Sequence, residues 1–306
     1  IEMLAGVETW LRGEFAAAVP HLEAATADPA PADQHEIEAA RFILNDPIAE
    51  AHIHLAYIRL LRGDLAGADS DLAQATRRAE QLAFPYGAWS LAYTRAMAGW
   101  GDIEAGQRDR AAVLFANVSE LAERHGFDMW DMAAATWQAT VGALAMLGSD
   151  DHDPTTLAAH GTTLTTLVDT WRTVGQNIYR TFFEGVLARL LLAAGQPDAA
   201  RHRLDTGLQL AQDTGMHFYD AELLRIRART RADPAARRED LAAALDLAHR
   251  QGAPLFELRA ALDDFDLRGA SARTGLAAAA DRIPAASACP ELARARAYLD
   301  QAAQRL

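Results

Sequence analysis

Apolar residues recur at intervals of three and four along most of the chain, the spacing that places side chains on one face of an α-helix. One such series is Leu55, Ile58, Leu61 and Leu65. Strands are typically indicated by alternating β-branched residues between hairpin turns, and no sustained run of that kind is present. Breaks in the helical pattern often contain Asp or Asn before proline, a pair suited to the first positions of a helix. The pattern therefore predicts an all-α chain of about sixteen helices.

Glycine marks one recurring turn, at Gly13, Gly63, Gly106 and Gly195. An alanine follows each of these glycines after five residues, and a large apolar residue follows after nine. A small side chain lets the second helix of a pair cross close to the first, and the large one fills the space beside the crossing. The alanines are Ala18, Ala68, Ala111 and Ala200, and the large residues are Leu22, Leu72, Phe115 and Leu204.

A second series of glycines carries the same repeat, each followed four residues later by an aromatic residue. This pattern is expected where the second helix of a pair ends. When the intervals between these glycines are counted from Gly106 of the first series, they predict further turns near positions 155 and 232. The large residues nine positions later are then Leu164 and Leu241. The glycine–aromatic pairs are Gly126 with Trp130, Gly175 with Tyr179, Gly215 with Tyr219, and Gly252 with Phe256.

Helix pairs with this turn resemble tetratricopeptide repeats, and Gly6 and Ala56 match the small position in the first helix of that family. The spacing here, 37 to 50 residues (Gly215 to Gly252 and Gly13 to Gly63), is longer than the family's 34. An extra helix at His35–Leu44 would account for the longest interval. The resemblance implies a right-handed α-solenoid in which residues 1–268 form the helical repeats. Residues 269–306 would form a degenerate closing helix pair of the same solenoid.

Four segments resemble, more narrowly, the C-terminal helical region of large bacterial signalling proteins. In those proteins the helical region follows a regulatory ATPase module linked to a class III nucleotidyl cyclase or a LuxR-type DNA-binding domain. Because the chain begins at Ile1, we expect it to be a segment of such a longer protein. The segments are GVETWLRGEFAAAVPHLEAA, LNDPIAEAHIHLAYIRLLRGDLAGA, ERHGFDMWDMAAATW and GMHFYDAELLRIRARTRADP with LDLAHRQGAPLFELRAAL.

Composition excludes several classes of function. All 29 basic side chains are arginine, so the chain has no phosphate-loop lysine and no Schiff-base lysine. A formal charge of −13 argues against nucleic acid or an anionic membrane as the main partner. The single cysteine permits no internal disulfide, and no apolar stretch is long enough to span a membrane. A cytoplasmic location is therefore expected.

Short clusters of His, Asp and Cys form no catalytic or metal-site pattern. His52 and His54 would point to different sides of a helix, which favours ordinary, partly exposed side chains over a metal chelate. The acidic run of residues 150–153 lacks the spacing of a calcium loop, which favours a solvated insertion. Cys289 precedes a proline in a loop, where a tolerated small residue is favoured over a nucleophile. We expect no enzyme activity in this chain, no metal and no cofactor.

The resemblance also implies a binding face. In tetratricopeptide superhelices the first helix of each pair lines the concave surface, where ligands dock. Counting back from the turn glycines places five residues there, with several arginines nearby to hold an acidic or aromatic group. Packing between repeats is the alternative role for each aromatic member. The five candidates are Tyr57, Tyr93, Trp100, Phe182 and Arg189.

The sequence favours a non-catalytic recognition module, the sensor or regulatory tail of a multidomain bacterial signalling protein or transcription regulator. The alternative is a stand-alone scaffold for protein assembly. An enzyme hidden in the repeats is the least favoured hypothesis. The partners expected are a protein or peptide, a neighbouring domain of the same chain, or a small ligand in the concave groove.

Overall fold

The protein is all-α, as the hydrophobic spacing predicts. The computed structural model describes residues 1–27, 45–148 and 153–303, and every regular element in these ranges is a helix. Two predicted features lie outside the described residues. They are the helix His35–Leu44 and the part of the acidic run formed by Asp150, Asp151 and His152.

Helices follow one another with short connections. The first eight are α1 (Glu2–Leu11), α2 (Phe15–Thr26), α3 (Pro47–Leu61), α4 (Leu65–Gln81), α5 (Tyr86–Glu104), α6 (Arg108–His125), α7 (Asp128–Leu147) and α8 (Pro154–Thr173). The next seven are α9 (Arg180–Ala193), α10 (Pro197–Thr214), α11 (Asp220–Ala228), α12 (Pro234–Gln251), α13 (Pro254–Arg268), α14 (Arg273–Asp281) and α15 (Pro290–Ala303).

Both predicted series of turn glycines are confirmed. At Gly106 the backbone has a φ of 76°, a left-handed conformation that a residue with a Cβ adopts only at a cost. The chain can therefore reverse between α5 and α6 within a few residues. The other predicted turn glycines have the same sign of φ, namely Gly13, Gly63, Gly126, Gly175, Gly195, Gly215 and Gly252. The degenerate turn predicted near 232 falls in the connection between α11 and α12, whereas position 155 lies in the first turn of α8, which begins at Pro154.

Two pairs are closed by a small residue on the first helix that faces a large residue on the second. A Cβ added at Gly99 of α5 would lie 2.6 Å from the ring of Phe115 on α6. The same relation holds in the first pair, where a Cβ at Gly6 would lie 2.7 Å from Leu22. The predicted crossing alanines Ala18, Ala68, Ala111 and Ala200 are all buried. Close approach of the two backbones is thus what the small residues provide.

Aspartates before proline begin several helices, as expected from their pattern. The side chain of Asp46 accepts from the backbone N–H groups of Ile48 and Ala49. Asp153 and Asp233 make equivalent bonds to the first turns of α8 and α12. These contacts satisfy N–H groups that have no partner within the helix.

The described chain divides into two compact units. The N-terminal unit contains Ile1–Trp10, Glu14–Leu60 and Asp64–Gln138, and the C-terminal unit contains Ala139–Leu306 with Leu11–Gly13 and Leu61–Gly63. In the C-terminal unit, α13, α14 and α15 pack against one another, so two helices follow Arg268. Three statements stay predictions: that these two helices form a closing pair, that the domains divide at residue 268, and that the solenoid is right-handed.

Candidate functional site

Two predicted binding residues of the N-terminal unit lie inside a column of aromatic side chains. Tyr57 of α3 and Trp100 of α5 have ring centroids 4.3 Å apart and are 3% and 0% exposed. Trp10 of α1 packs on Tyr57 at 5.3 Å, and Trp137 of α7 packs on Trp100 at 6.2 Å. We call these four residues the aromatic column. It joins the first helices of four successive pairs.

The other two predicted aromatic residues are also buried. Tyr93 of α5 lies 6.0 Å from Trp130 between ring centroids. In the C-terminal unit, Phe182 of α9 lies 5.4 Å from Tyr219, which in turn lies 5.7 Å from Phe256 of α13. Burial of all four predicted aromatic residues favours helix packing, the alternative role. Their contact with a ligand stays a prediction.

A buried histidine lies beside the aromatic column. His54 is 2% exposed, its ring centroid lies 4.8 Å from that of Trp10, and its Nδ1 is 2.8 Å from the Glu50 carbonyl oxygen. Burial lowers the pKa of His54 to about 4, so the ring is neutral at pH 7. His52 instead lies 3.0 Å from a carboxylate oxygen of Asp71. The expectation that His54 is partly exposed is therefore wrong, because the side chain is buried against the ring of Trp10.

Arg189, the fifth predicted residue, is half-buried and lines a cavity of about 330 Å³ in the C-terminal unit. The cavity lies where α7, α9 and α11 end. We call it the arginine cavity. Its lining residues are Leu147, Arg189, Leu192, Ala193 and Arg229.

A network of paired charges lies beside Arg189. Arg225 donates through Nε to Glu222 at 2.8 Å and through Nη1 to Asp263 at 2.8 Å. Arg259 donates through Nε to Glu291 at 2.7 Å and approaches Glu222 at 3.4 Å. Burial alone would raise the pKa of Glu222, but Arg225 and Arg259 outweigh it and hold this pKa below its usual value. Glu222 is therefore ionised and shared between two guanidinium groups.

Arg189 stands outside this pairing. Within the described part of the chain its guanidinium makes no hydrogen bond and no ion pair, and the same is true of Arg229. Burial, together with the positive charge of Arg225, lowers the pKa of Arg189 to about 10. The group is still protonated at neutral pH. Two cationic side chains thus line one cavity, and none of its described lining residues carries a carboxylate.

Sequence reasoning found Arg189 but missed Arg229 and Leu147. Arg189 was found because it stands six residues before the turn glycine Gly195. Leu147 ends α7 and Arg229 directly follows α11, the first helices of the two pairs whose predicted turns carry no glycine of the first series. The only sequence signal for these two residues is that they lie near the turns predicted at 155 and 232.

Other candidate chemistry has simple structural roles. Cys289 is buried, and burial raises the pKa of its thiol, the opposite of what an activated nucleophile requires. Asp153, the described member of the acidic run, caps α8. No group of three or more His, Cys, Asp or Glu able to hold a metal ion occurs in residues 1–27, 45–148 and 153–303. Nor is any helix in these ranges long and apolar enough to cross a membrane.

Comparisons with known proteins leave the family open. No protein-family model matches the chain, and no curated protein shows significant sequence similarity to it.

Proposed function

We propose that this chain is a non-catalytic recognition module, and that it serves as the sensor or regulatory tail of a multidomain bacterial signalling protein. The observation that carries the proposal is the arginine cavity. Its volume of about 330 Å³ falls within the range of small-molecule sites, which runs from about 300 to 1,000 Å³.

The chemistry of the cavity wall suits binding better than catalysis. A guanidinium stays protonated at neutral pH, so it can hold an acceptor but cannot act as a general base. The other lining residues, Leu147, Leu192 and Ala193, are apolar. Paired helices give such a site a rigid frame, because each pair is fixed by its own close crossing.

Regulation through an attached domain is the part of the proposal that rests on sequence resemblance alone. The stand-alone scaffold is the alternative. Reading the whole gene, including any codons that precede the codon for Ile1, separates the two. A phosphate-binding loop with a lysine would support the regulatory tail, and its absence from the whole protein would support the scaffold. A cytoplasmic location belongs to the same proposal, since it agrees with the charge of −13 and the single cysteine.

A ligand screen tests the recognition function directly. The purified chain is heated with compounds grouped by class, namely sugars, amino acids, organic acids, nucleotides and short peptides. Each compound that raises the melting temperature is then titrated by calorimetry and followed by NMR for conversion. Saturable one-to-one binding without conversion is expected for at least one compound. Turnover of a bound compound, or no binding in any class, contradicts the proposal.

A further inference from the structure

The arginine cavity combines a cationic and an apolar wall. Arg189 comes from the last turns of α9, and Arg229 directly follows α11. The side chains of Leu147 and Leu192 supply the apolar part. With a volume of about 330 Å³, the cavity is at the small end of ligand sites, which favours a molecule of metabolite size over a folded partner.

Arg189 makes no hydrogen bond or ion pair within the described residues, although the charge of Glu222 acts on it at longer range. The oxygens of Glu222 are bonded to Arg225 and Arg259, which also pair with Asp263 and Glu291. A bound anion would give the guanidinium of Arg189 a direct hydrogen-bonding partner.

Helix dipoles explain only part of this arrangement. Arg229 lies at the C-terminal end of α11, where a cation complements the partial negative charge of the helix. Arg189 lies four residues before the end of α9, and side chains in a helix tilt toward its N-terminus. The guanidinium of Arg189 nevertheless lines the cavity at the end of α9, beside Leu192 and Ala193.

We propose that the arginine cavity binds a small organic anion, whose carboxylate or phosphate oxygens pair with Arg189 and Arg229 while its apolar part contacts Leu147 and Leu192. Arginine is suited to this task because its planar fork matches two oxygens of a carboxylate or phosphate at once. The inference rests on the proposed recognition function and names the ligand class of that function.

Matched probes test the ligand class on the whole 306-residue chain. The probes are benzoate, phenyl phosphate, inorganic phosphate and benzamide, the last being a neutral analogue of benzoate. Binding is measured by NMR titration and by the shift in melting temperature. Benzoate or phenyl phosphate is expected to bind at least tenfold more tightly than benzamide, and the preferred one identifies the head group. Tighter binding of inorganic phosphate than of either organic anion would overturn the role of the apolar wall.

Two substitutions locate the binding. Arg189→Gln and Arg229→Gln are each expected to weaken binding of the preferred probe at least tenfold. Arg238→Gln, an exposed arginine on α12 outside the cavity, is the matched control and is expected to leave binding unchanged. Since Arg189→Gln breaks no hydrogen bond or ion pair within the described residues, it should not lower the melting temperature of the ligand-free protein.

The outcomes separate this inference from the broader function. Equal binding by native protein and Arg189→Gln overturns the inference, as does a fall of several degrees in the melting temperature of that variant. If a neutral compound from the wider screen binds while no anionic probe does, the recognition function stands and the anion inference fails. If no compound binds in either experiment, both fail.

Discussion

The two units use the same position of the repeat for opposite purposes. Six residues before the turn glycine, the N-terminal unit has Tyr57 and Trp100, whose rings are buried in the aromatic column. The C-terminal unit has Arg189 at that position, half-buried and lining a cavity. One helix-pair plan thus yields a closed, neutral interface in one unit and an open, cationic site in the other.

The contrast extends to what surrounds each position. Around Trp100 the neighbours are aromatic rings, including Trp10 and Trp137. Around Arg189 they are charged groups, chiefly Arg225 and Glu222. Apolar rings are stabilised by leaving water, whereas charges require partners. A repeat can therefore place a charged residue at a packing position only where its surroundings are polar.

Substitution at the shared position gives the largest expected effect. Trp100→Ala should lower the free energy of unfolding by about 3–5 kcal/mol, because it empties a fully buried site among other rings. Arg189→Gln should change it by less than about 1 kcal/mol, since no bond within the described chain is lost. Chemical denaturation of the two variants measures both values. Similar losses would show that Arg189 is as much a packing residue as Trp100.

The charged network of the C-terminal unit should respond to loss of its central acid. Glu222→Gln is expected to cost about 3 kcal/mol, the lower end of the range for breaking a buried pair. The lower end applies because Arg225 keeps Asp263 and Arg259 keeps Glu291. Urea denaturation at low and high salt measures the loss. A variant as stable as the native protein would mean that these charges contribute nothing to the C-terminal unit.

Lowering the pH should affect the stability of the two units differently, because each contains a buried titratable side chain with a shifted pKa. His54 is kept neutral by burial, with a pKa of about 4 against an ordinary value of 6.5. Below pH 6.5 the unfolded chain takes up a proton that the folded chain refuses, so this contribution to stability falls with pH until about pH 4. Relative to His54→Gln, the native protein should lose about 2 kcal/mol between pH 6.5 and 4.5. Denaturation of both proteins across this range provides the difference.

Asp220 in the C-terminal unit should make stability depend on pH in the opposite direction. Burial raises its pKa to about 6 from 3.8, although His217 acts against the shift. The folded chain therefore holds a proton that the unfolded chain releases, and stability should fall as pH rises from about 4 to 6. Relative to Asp220→Asn, the native protein should thus be most stable at the acid end. A slope of the same sign for both residues would contradict the two assignments.

The smallest effects concern helix glycines. Gly99→Ala should cost about 1–3 kcal/mol, because its Cβ would lie 2.6 Å from the ring of Phe115, which is itself stacked on Trp137. Gly161→Ala, in the middle of α8, meets no atom within 4 Å and should stabilise the protein by about 0.5–1 kcal/mol. Thermal unfolding of both variants checks the pair. A gain at Gly99 would show that the first and second helices of a pair are not in close contact there.

Much of the fold could be predicted from the sequence because its rules are local. A turn glycine, a crossing alanine five residues later and a large residue nine residues later all belong to one helix pair. The same reasoning would have identified Gly99 and Ala188, which stand seven residues before Gly106 and Gly195, as Gly6 stands before Gly13. Both are buried in the structure.

The candidate site was only partly predictable because exposure is decided by neighbouring pairs. Counting from a glycine places Trp100 and Arg189 at one position, but it cannot show which of them other helices cover. Trp137 and Arg229 were not predicted, because their helix pairs have degenerate turns without a glycine of the first series from which to count. The network around Glu222 joins side chains from α11, α13 and α15, and no short sequence pattern relates these elements.

The left-handed glycines also bear on how quickly the protein reaches its native state. Each one returns the chain on itself at once, so the crossing of Gly99 with Phe115 joins residues that are near each other in sequence. Contacts of this kind close short loops and form early, and proteins rich in them fold in microseconds to milliseconds. During synthesis a helix pair could therefore assemble as soon as its second helix leaves the ribosome, before the rest of the chain exists.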